Sequence, residues 1–231
     1  MEKIMYLAQL PAGVHCDSFR QIALGEMADQ LLQNQHVARL TLHFDDSDVA
    51  PASRWRRETV APLPQVMVSV WVDSANHQAE LVQILQQQLS AIEGYLVSES
   101  EVLRPPTGLA RRTDGMTQIC SFGAQPQLSQ AQFLELWRNQ HTEVALRTQS
   151  TFGYRQNLIV APLTGAAKNH AAIVEEHFPQ AAMDSIEVFF NAEGDAEKLQ
   201  RHRQQMGVSC GRFIDPDSIN VVHMSEYIIK S

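Results

Sequence analysis

The chain spells one order of elements twice. Residues 1–105 and residues 116–231 each read as strand, helix, strand, long connection, strand, helix, strand. Residues 106–115 separate them, inside a stretch of linker composition that runs from Arg104-Pro105-Pro106 to Thr113-Asp114-Gly115. An internal repeat constrains architecture before any site is considered. A βαββαβ unit makes a four-stranded antiparallel sheet with both helices on one face. Its other face is bare, and an apolar surface of that size is poorly tolerated by water. Two units in one chain solve this by packing sheet against sheet, with a lumen between them.

The pattern supports the repeat element by element. In the first copy, residues 3–10 read as a strand closed by Pro11-Ala12-Gly13. Asp17 or Ser18 would cap a helix in which Phe19, Ala23, Met27 and Leu31 recur at helical spacing. Residues 36–44 alternate with period two, as a half-buried strand does. In residues 66–72, Val66, Val68, Val70 and Val72 share one face and Met67, Ser69 and Trp71 the other. A helix over about 76–92 and a strand over 95–103 complete the copy. The second copy runs strand 116–123, helix from Ser129, strand 151–160, connection 162–182, strand 183–191, helix 195–206 and strand 219–229. Ser129 and Gln132 fit a capping box, and Gly207 suits a helix end. The expectation is an α+β protein of tandem ferredoxin-like repeats. Its valine faces meet the helices, and Met67, Ser69, Trp71, Ser185, Glu187 and Phe189 line the lumen.

Composition removes several functions. The formal net charge is -8, which disfavours a general nucleic-acid binder that must displace counterions with a positive face. No apolar run reaches the roughly 20 residues that span a bilayer, and the start of the sequence lacks signal-peptide regions. Cys16, Cys120 and Cys210 are far apart and odd in number, so neither a disulfide framework nor a zinc motif is visible. A reducing cytoplasm is the default location. No Gly-rich phosphate loop, HExxH or nucleophile motif occurs. His170 and His177 stand seven apart on what reads as a short helix, which falls short of a metal motif, so no metal is expected.

Two segments resemble the signature region of EthD-domain proteins of the dimeric α+β barrel superfamily. They are Phe133-Leu134-Glu135-Leu136-Trp137-Arg138-Asn139-Gln140-His141 and Phe152-Gly153-Tyr154-Arg155-Gln156-Asn157. The pattern is an aromatic and a histidine at Trp-x-x-x-His spacing on the first helix, then a strand with Tyr and Gln-Asn. Residues 184–190 and Phe213-Ile214-Asp215 also suit it. The resemblance covers the second copy only. Aligning Phe19 with Phe133 puts Ala23 at the Trp137 position and Met27 at the His141 position, so the chain keeps one such site. The resemblance implies an intramolecular dimeric α+β barrel and a loose tie to oxidoreductase chemistry. Relatives in the wider superfamily include cofactor-free monooxygenases, cyclases or dehydratases, and haem-handling proteins.

His141 is the leading candidate for proton transfer, since an imidazole titrates near neutral pH. Its alternative is a half-buried histidine bonded to a backbone carbonyl. Glu187, read as lying on a central strand, is a second base, because a carboxylate buried in a lumen is pushed toward neutrality; its alternative is an ion pair with Arg155 or Arg39. Arg155 and Asn157 should point into the lumen as Arg39 and Thr41 do, with Tyr154 on the opposite side. They would hold a substrate oxyanion or form a polar seam between the sheets. Trp137, Tyr154, Phe189 and Trp71 complete the expected ligand contacts. The basic run Arg54-Trp55-Arg56-Arg57 is either a steering patch at the barrel mouth or a solvated loop.

Three readings follow. The chain binds a small hydrophobic carbonyl compound in the lumen as a cofactor-free oxygenase, cyclase or dehydratase. Alternatively, it is a non-enzymatic accessory of a partner oxidase that holds a metabolite or haem, with His141 as the axial ligand. Or its two sheets pack solidly and it is structural. One chain already supplies the pseudo-dimer, so monomer and homodimer both stay open.

Overall fold

A computed structural model describes residues 1–106, 108–109 and 111–231. Thr107 and Ala110, both in the expected linker region, lie outside the described residues. Eight strands are present: β1 (Glu2–Gln9), β2 (Val37–Phe44), β3 (Val66–Val72), β4 (Ser90–Leu103), β5 (Met116–Phe122), β6 (Gly153–Pro162), β7 (Ala172–Phe178) and β8 (Asn220–Lys230). They close into one antiparallel barrel in the order β1-β3-β2-β8-β5-β7-β6-β4. Each copy therefore contributes four adjacent strands with the same internal order. The sheets are also sewn together at both edges, by β2 against β8 (Leu42 opposite Tyr227) and β4 against β6 (Ser98 opposite Leu158). Closure leaves no free sheet edge to pair with another chain. This is the dimeric α+β barrel built from a single chain.

The helices coat the outside. In the first copy they are α1 (residues 16–33) and α2 (Gln78–Gln86). In the second they are α3 (residues 130–148), α4 (Ile186–Phe189) and α5 (Ala196–Cys210). Both leading helices widen at one place into a π turn, Ala23–Met27 in α1 and Glu135–His141 in α3. The capping box of Ser129 and Gln132 is present at the start of α3. In α1 the cap position is His15, without a side-chain bond, so the helix starts just before the expected Asp17 or Ser18. α5 passes through Gly207 to Cys210, beyond the expected end at Met206.

The valine face of β3 packs on Phe19, Met27, Leu31, Leu81 and Leu85, as its alternation predicts. The opposite faces fill the barrel. Met5, Leu7, Met67, Tyr95, Val97, Ile119, Ile173, Val222 and Met224 form one buried cluster there. The remainder of the interior is charged, with Lys3, Arg155, Glu175 and Glu226 all buried. The middle of the interior is thus packed with side chains in place of the open chamber expected there, and a cavity of about 320 Å³ remains at the barrel end beside Thr41 and Arg155.

One strand differs from expectation. Residues 183–191 are not a strand: they contain the end of a 3₁₀ turn, Gln180–Met183, and α4, whose cap Ser185 accepts from the Val188 N–H. The third strand of the second copy is β7, inside the stretch expected to be a connection. Its Glu175-Glu176-His177 run looks like a loop, because three ionisable residues in a row are costly to bury unless partnered. Here the partners come from distant strands. The expected lumen positions of Ser185, Glu187 and Phe189 fall with that strand, and His177 lies on β7 rather than on a helix. Among the described residues, no helix is long and apolar enough to cross a membrane.

Candidate functional site

The second copy holds a cavity of about 210 Å³ between the outer face of β5–β8 and the helix layer. Trp137 and His141 enter it from the π turn of α3, Tyr154 from β6, Gln118 and Cys120 from β5, and Glu176 from β7. Phe189 of α4, Met206 and Cys210 of α5, and Phe213 complete most of the wall. Local packing fixes these positions. Trp137 stacks on Phe133 at 5.3 Å and meets the edge of Phe122 at 5.8 Å. The His141 ring lies 4.9 Å from Phe213. A π turn inside an α-helix re-aims side chains and is frequent at functional sites.

The polar groups in this apolar wall are few. Glu176 is fully enclosed, and its one side-chain hydrogen bond comes from Gln118 Nε2 at 2.9 Å. Burial pushes its carboxyl up to about 7, against the smaller opposing pull of that bond. His141 Nδ1 lies 2.9 Å from Ser209 Oγ, and burial lowers its pKa to about 4, so the imidazole is neutral at physiological pH. Tyr154 accepts from Gln156 Nε2 at 3.0 Å, and that amide also reaches Thr142 Oγ1 at 2.8 Å. Burial holds the Tyr154 phenol and the Cys120 and Cys210 thiols protonated. Behind Glu176, Gln118 Oε1 lies 3.3 Å from Nε2 of the buried His223. Among the described residues, no Lys or Arg lines the cavity. The arrangement can exchange one proton with a neutral ligand through a carboxyl that is half ionised near pH 7.

The structure brings four of the eight expected site residues together here: His141, Trp137, Tyr154 and Phe189. They meet on the helix side of the sheet, not in the lumen. Arg155 and Asn157 do face the lumen, with Tyr154 on the opposite side of β6 as period two requires, but both are saturated by protein. Arg155 pairs with Glu226, with Glu175 at 3.3 Å and with Glu101 at 3.6 Å. Asn157 donates to the Ile173 carbonyl at 3.0 Å and to Glu175 at 2.9 Å, and it accepts from Lys3 at 2.9 Å. Trp71 is half-buried at one barrel end, with Lys3 Nζ 4.7 Å from its ring. Glu187 sits on α4, exposed and outside the cavity, where it accepts from the Gly194 N–H at 3.3 Å. The basic run fastens the two copies together: Arg54 binds Asp184 at 2.8 Å, Trp55 Nε1 donates to the Met183 carbonyl at 2.8 Å, and Arg57 donates to the Pro216 carbonyl at 2.9 Å.

Sequence reasoning missed Glu176, Gln118 and Ser209. A signal existed for the first two. Gln118 and Glu176 stand directly opposite each other in the β5–β7 register, each breaking an apolar alternation on the helix-facing side. That signal becomes readable only once residues 172–178 are recognised as a strand.

With this geometry in place, comparison with known families is decisive for one segment. Residues 125–217 match the model of the EthD domain. That segment is similar to the EthD domain. The matched span includes Trp137, His141, Tyr154, Glu176, Phe189 and Ser209, so the cavity lies largely within it, with Gln118 and Cys120 added from β5. No curated protein sequence is significantly similar to the chain. Among solved structures, an anthrone oxidase-like protein is similar at TM-score 0.56 and 8% identity, covering 100% of this chain and 94% of that one. A monooxygenase-like protein from Fusobacterium nucleatum is similar at TM-score 0.52 and 10% identity, covering 99% and 92%. At such identities these likenesses show the barrel fold and carry no chemistry with them.

Proposed function

We propose that the cavity of the EthD-like segment binds a small, neutral, hydrophobic carbonyl compound and that Glu176 removes an acidic proton from it. The observation that carries this reading is a single carboxyl, poised near neutrality by burial, in a cavity walled by aromatic side chains and a neutral imidazole. A general base is most effective when its pKa lies near the working pH. A carbonyl ligand flat against Trp137 and Phe213 would give its α-proton to the Glu176 carboxylate, leaving an enolate and a carboxylic acid. His141 and the Tyr154 hydroxyl are the neutral groups available to share charge on the enolate oxygen. The enolate then has two outlets. Reaction with dioxygen is the cofactor-free oxygenase branch. Expulsion of a β-hydroxyl, reprotonated by Glu176, is the dehydratase branch.

Deuterium exchange tests the shared step. In D₂O, a small cyclic ketone such as 2-tetralone should exchange its α-protons faster with the protein than with buffer. Glu176→Gln should lower that protein-dependent rate by about 10²-fold or more, the usual worth of a positioned base, and His141→Ala should lower it less. Exchange that is indifferent to Glu176→Gln would end the reading.

The alternative of a haem-holding accessory fits this cavity poorly. Its volume is about 210 Å³, small for a macrocycle. A haemin titration should accordingly give no Soret band that depends on His141.

A further inference from the structure

A second convergence of donors lies on the other side of the sheet, where the proposed proton transfer makes no use of it. His43 from β2, Glu175 from β7 and Glu226 from β8 point into the barrel, each at most 1% exposed. Each carboxylate is anchored through one oxygen. Glu175 Oε1 accepts from Lys3 Nζ at 2.8 Å and from Asn157 Nδ2 at 2.9 Å. Glu226 Oε2 accepts from Thr113 Oγ1 at 2.6 Å and has His177 Nε2 at 2.9 Å. The other two oxygens turn toward one imidazole nitrogen: Glu175 Oε2 is 3.6 Å and Glu226 Oε1 is 3.5 Å from His43 Nε2. Neither nitrogen of His43 has a hydrogen-bond partner, and the buried Ser69 Oγ in the same lumen has none.

Three donors with these separations, all within 4.8 Å of one another, share a point about 2.0–2.4 Å from each, the bond length of divalent transition metals to imidazole and carboxylate. The anchored oxygens and their partners are what a metal site needs to hold its ligands in orientation. Charge argues the same way. Lys3 and Arg155 face four carboxylates, Glu99, Glu101, Glu175 and Glu226, so two cations meet four acidic groups around the imidazoles of His43 and His177. The nearest cation is Arg155, with Nη1 3.3 Å from Glu175 Oε2 and in contact with Glu226 Oε1. Arg155 also lines a cavity of about 320 Å³ at the barrel end, together with Glu99, Glu101 and Thr41. Its Nε already lies 3.6 Å from Glu101, so the guanidinium has an acidic place to withdraw to.

We propose that the barrel axis binds one divalent transition-metal ion through His43 Nε2, Glu175 Oε2 and Glu226 Oε1, with Arg155 yielding toward Glu101. The three ligands come from three strands in two copies, so no local motif announces them. Cobalt reports on the site directly. The full chain, stripped with EDTA and titrated with Co²⁺, should take up one equivalent with visible ligand-field bands, and His43→Gln or Glu226→Gln should weaken uptake at least tenfold. The exposed His36, Asp73 and His77 also bring three donors together, so the His36→Ala/His77→Ala double variant is the control and should bind as the parent does. If the lumen variants fail to fold, pulsed EPR of Mn²⁺ bound to the parent chain decides, because this site predicts coupling to one histidine nitrogen. Absence of stoichiometric metal, loss of binding in the double variant, or coupling to two histidines would each overturn the proposal.

Discussion

The two copies solve the same packing problem in opposite ways. In the first, the space between sheet and helices is filled: Ala23 and Met27 of the α1 π turn pack with Phe19, Leu31, Tyr6 and the β3 valines, all buried. In the second, the corresponding π turn carries Trp137 and His141, β7 replaces a valine with Glu176, and about 210 Å³ stays open. The difference shows how a duplicated fold can divide its labour. One copy has an uninterrupted apolar core. The other holds a neutral imidazole and a raised carboxyl away from water, an arrangement that lowers stability and that a single small unit would tolerate poorly.

Truncating matched positions tests this contrast with the largest expected effect. Met27→Ala should cost roughly 2–5 kcal/mol, because a fully packed neighbourhood cannot collapse onto the void. His141→Ala should cost less than about 1 kcal/mol, since it removes a desolvated polar ring beside space that is already open. Urea unfolding of both variants decides. Equal losses would mean that His141 is a core residue like Met27, and the division of labour would fail.

The next effect is a pH dependence. Folded Glu176 keeps its proton up to about 7, whereas its ordinary value is 4.5. Between those values the folded state binds more protons than the unfolded one, so stability falls as pH rises and then levels off above about 7. The full fall is about 3 kcal/mol. His141, His170 and His223 oppose it: burial holds each down to about 4, so each adds stability as pH rises from about 4 to 6.5. Three such imidazoles outweigh one carboxyl, so the parent's stability rises over that range, and subtraction exposes the carboxyl. The gap by which Glu176→Gln exceeds the parent should be small at pH 4 and grow to about 3 kcal/mol by pH 8. Parallel profiles would show that the carboxyl is not held up by burial.

Much of this molecule is legible in its sequence, and the failures have a common cause. Repetition of the element order implies the barrel, the alternation of Val66 to Val72 sorts core from lumen, and period two separates Tyr154 from Arg155 and Asn157. Trp137 and His141 stand out through their spacing on one helix. What fails is β7. Its Glu175 and His177 face the lumen, where Lys3, Arg155 and Glu226 partner them, and its Glu176 faces the cavity. None of those partners is near in sequence, so the run has the polarity of a loop. The apolar residues after it then offered themselves as the missing strand, which moved Glu187 into the lumen on paper and left Glu176 unnoticed.

Ser209 sharpens the second copy further, with a smaller effect. Its hydroxyl is the one side-chain partner of His141, a contact for which Met27 has no counterpart. Ser209→Ala should cost about 1 kcal/mol, the worth of one buried hydrogen bond. It should also lower ketone exchange through the mobility of the ring, with Ser209→Thr restoring it. A stability loss without any change in exchange would confine Ser209 to packing.

The smallest expected effect falls on the residue that the sequence favours as a base and the structure removes from the cavity. Glu187 lies exposed in the first turn of α4, where its side chain accepts a 3.3 Å bond from the Gly194 N–H. Surface substitutions away from special features usually stay within about 0.5 kcal/mol, and Glu187 does not line the cavity. Glu187→Gln should therefore leave both unfolding and ketone exchange within error of the parent. Its neighbour Phe189, which does reach the cavity and stacks on Phe178 at 4.3 Å, should respond to truncation in both assays. If Glu187→Gln instead abolished exchange while Glu176→Gln did not, the proton would be leaving at the mouth of α4, and the contrast between a filled copy and a reactive one would need a different reactive centre.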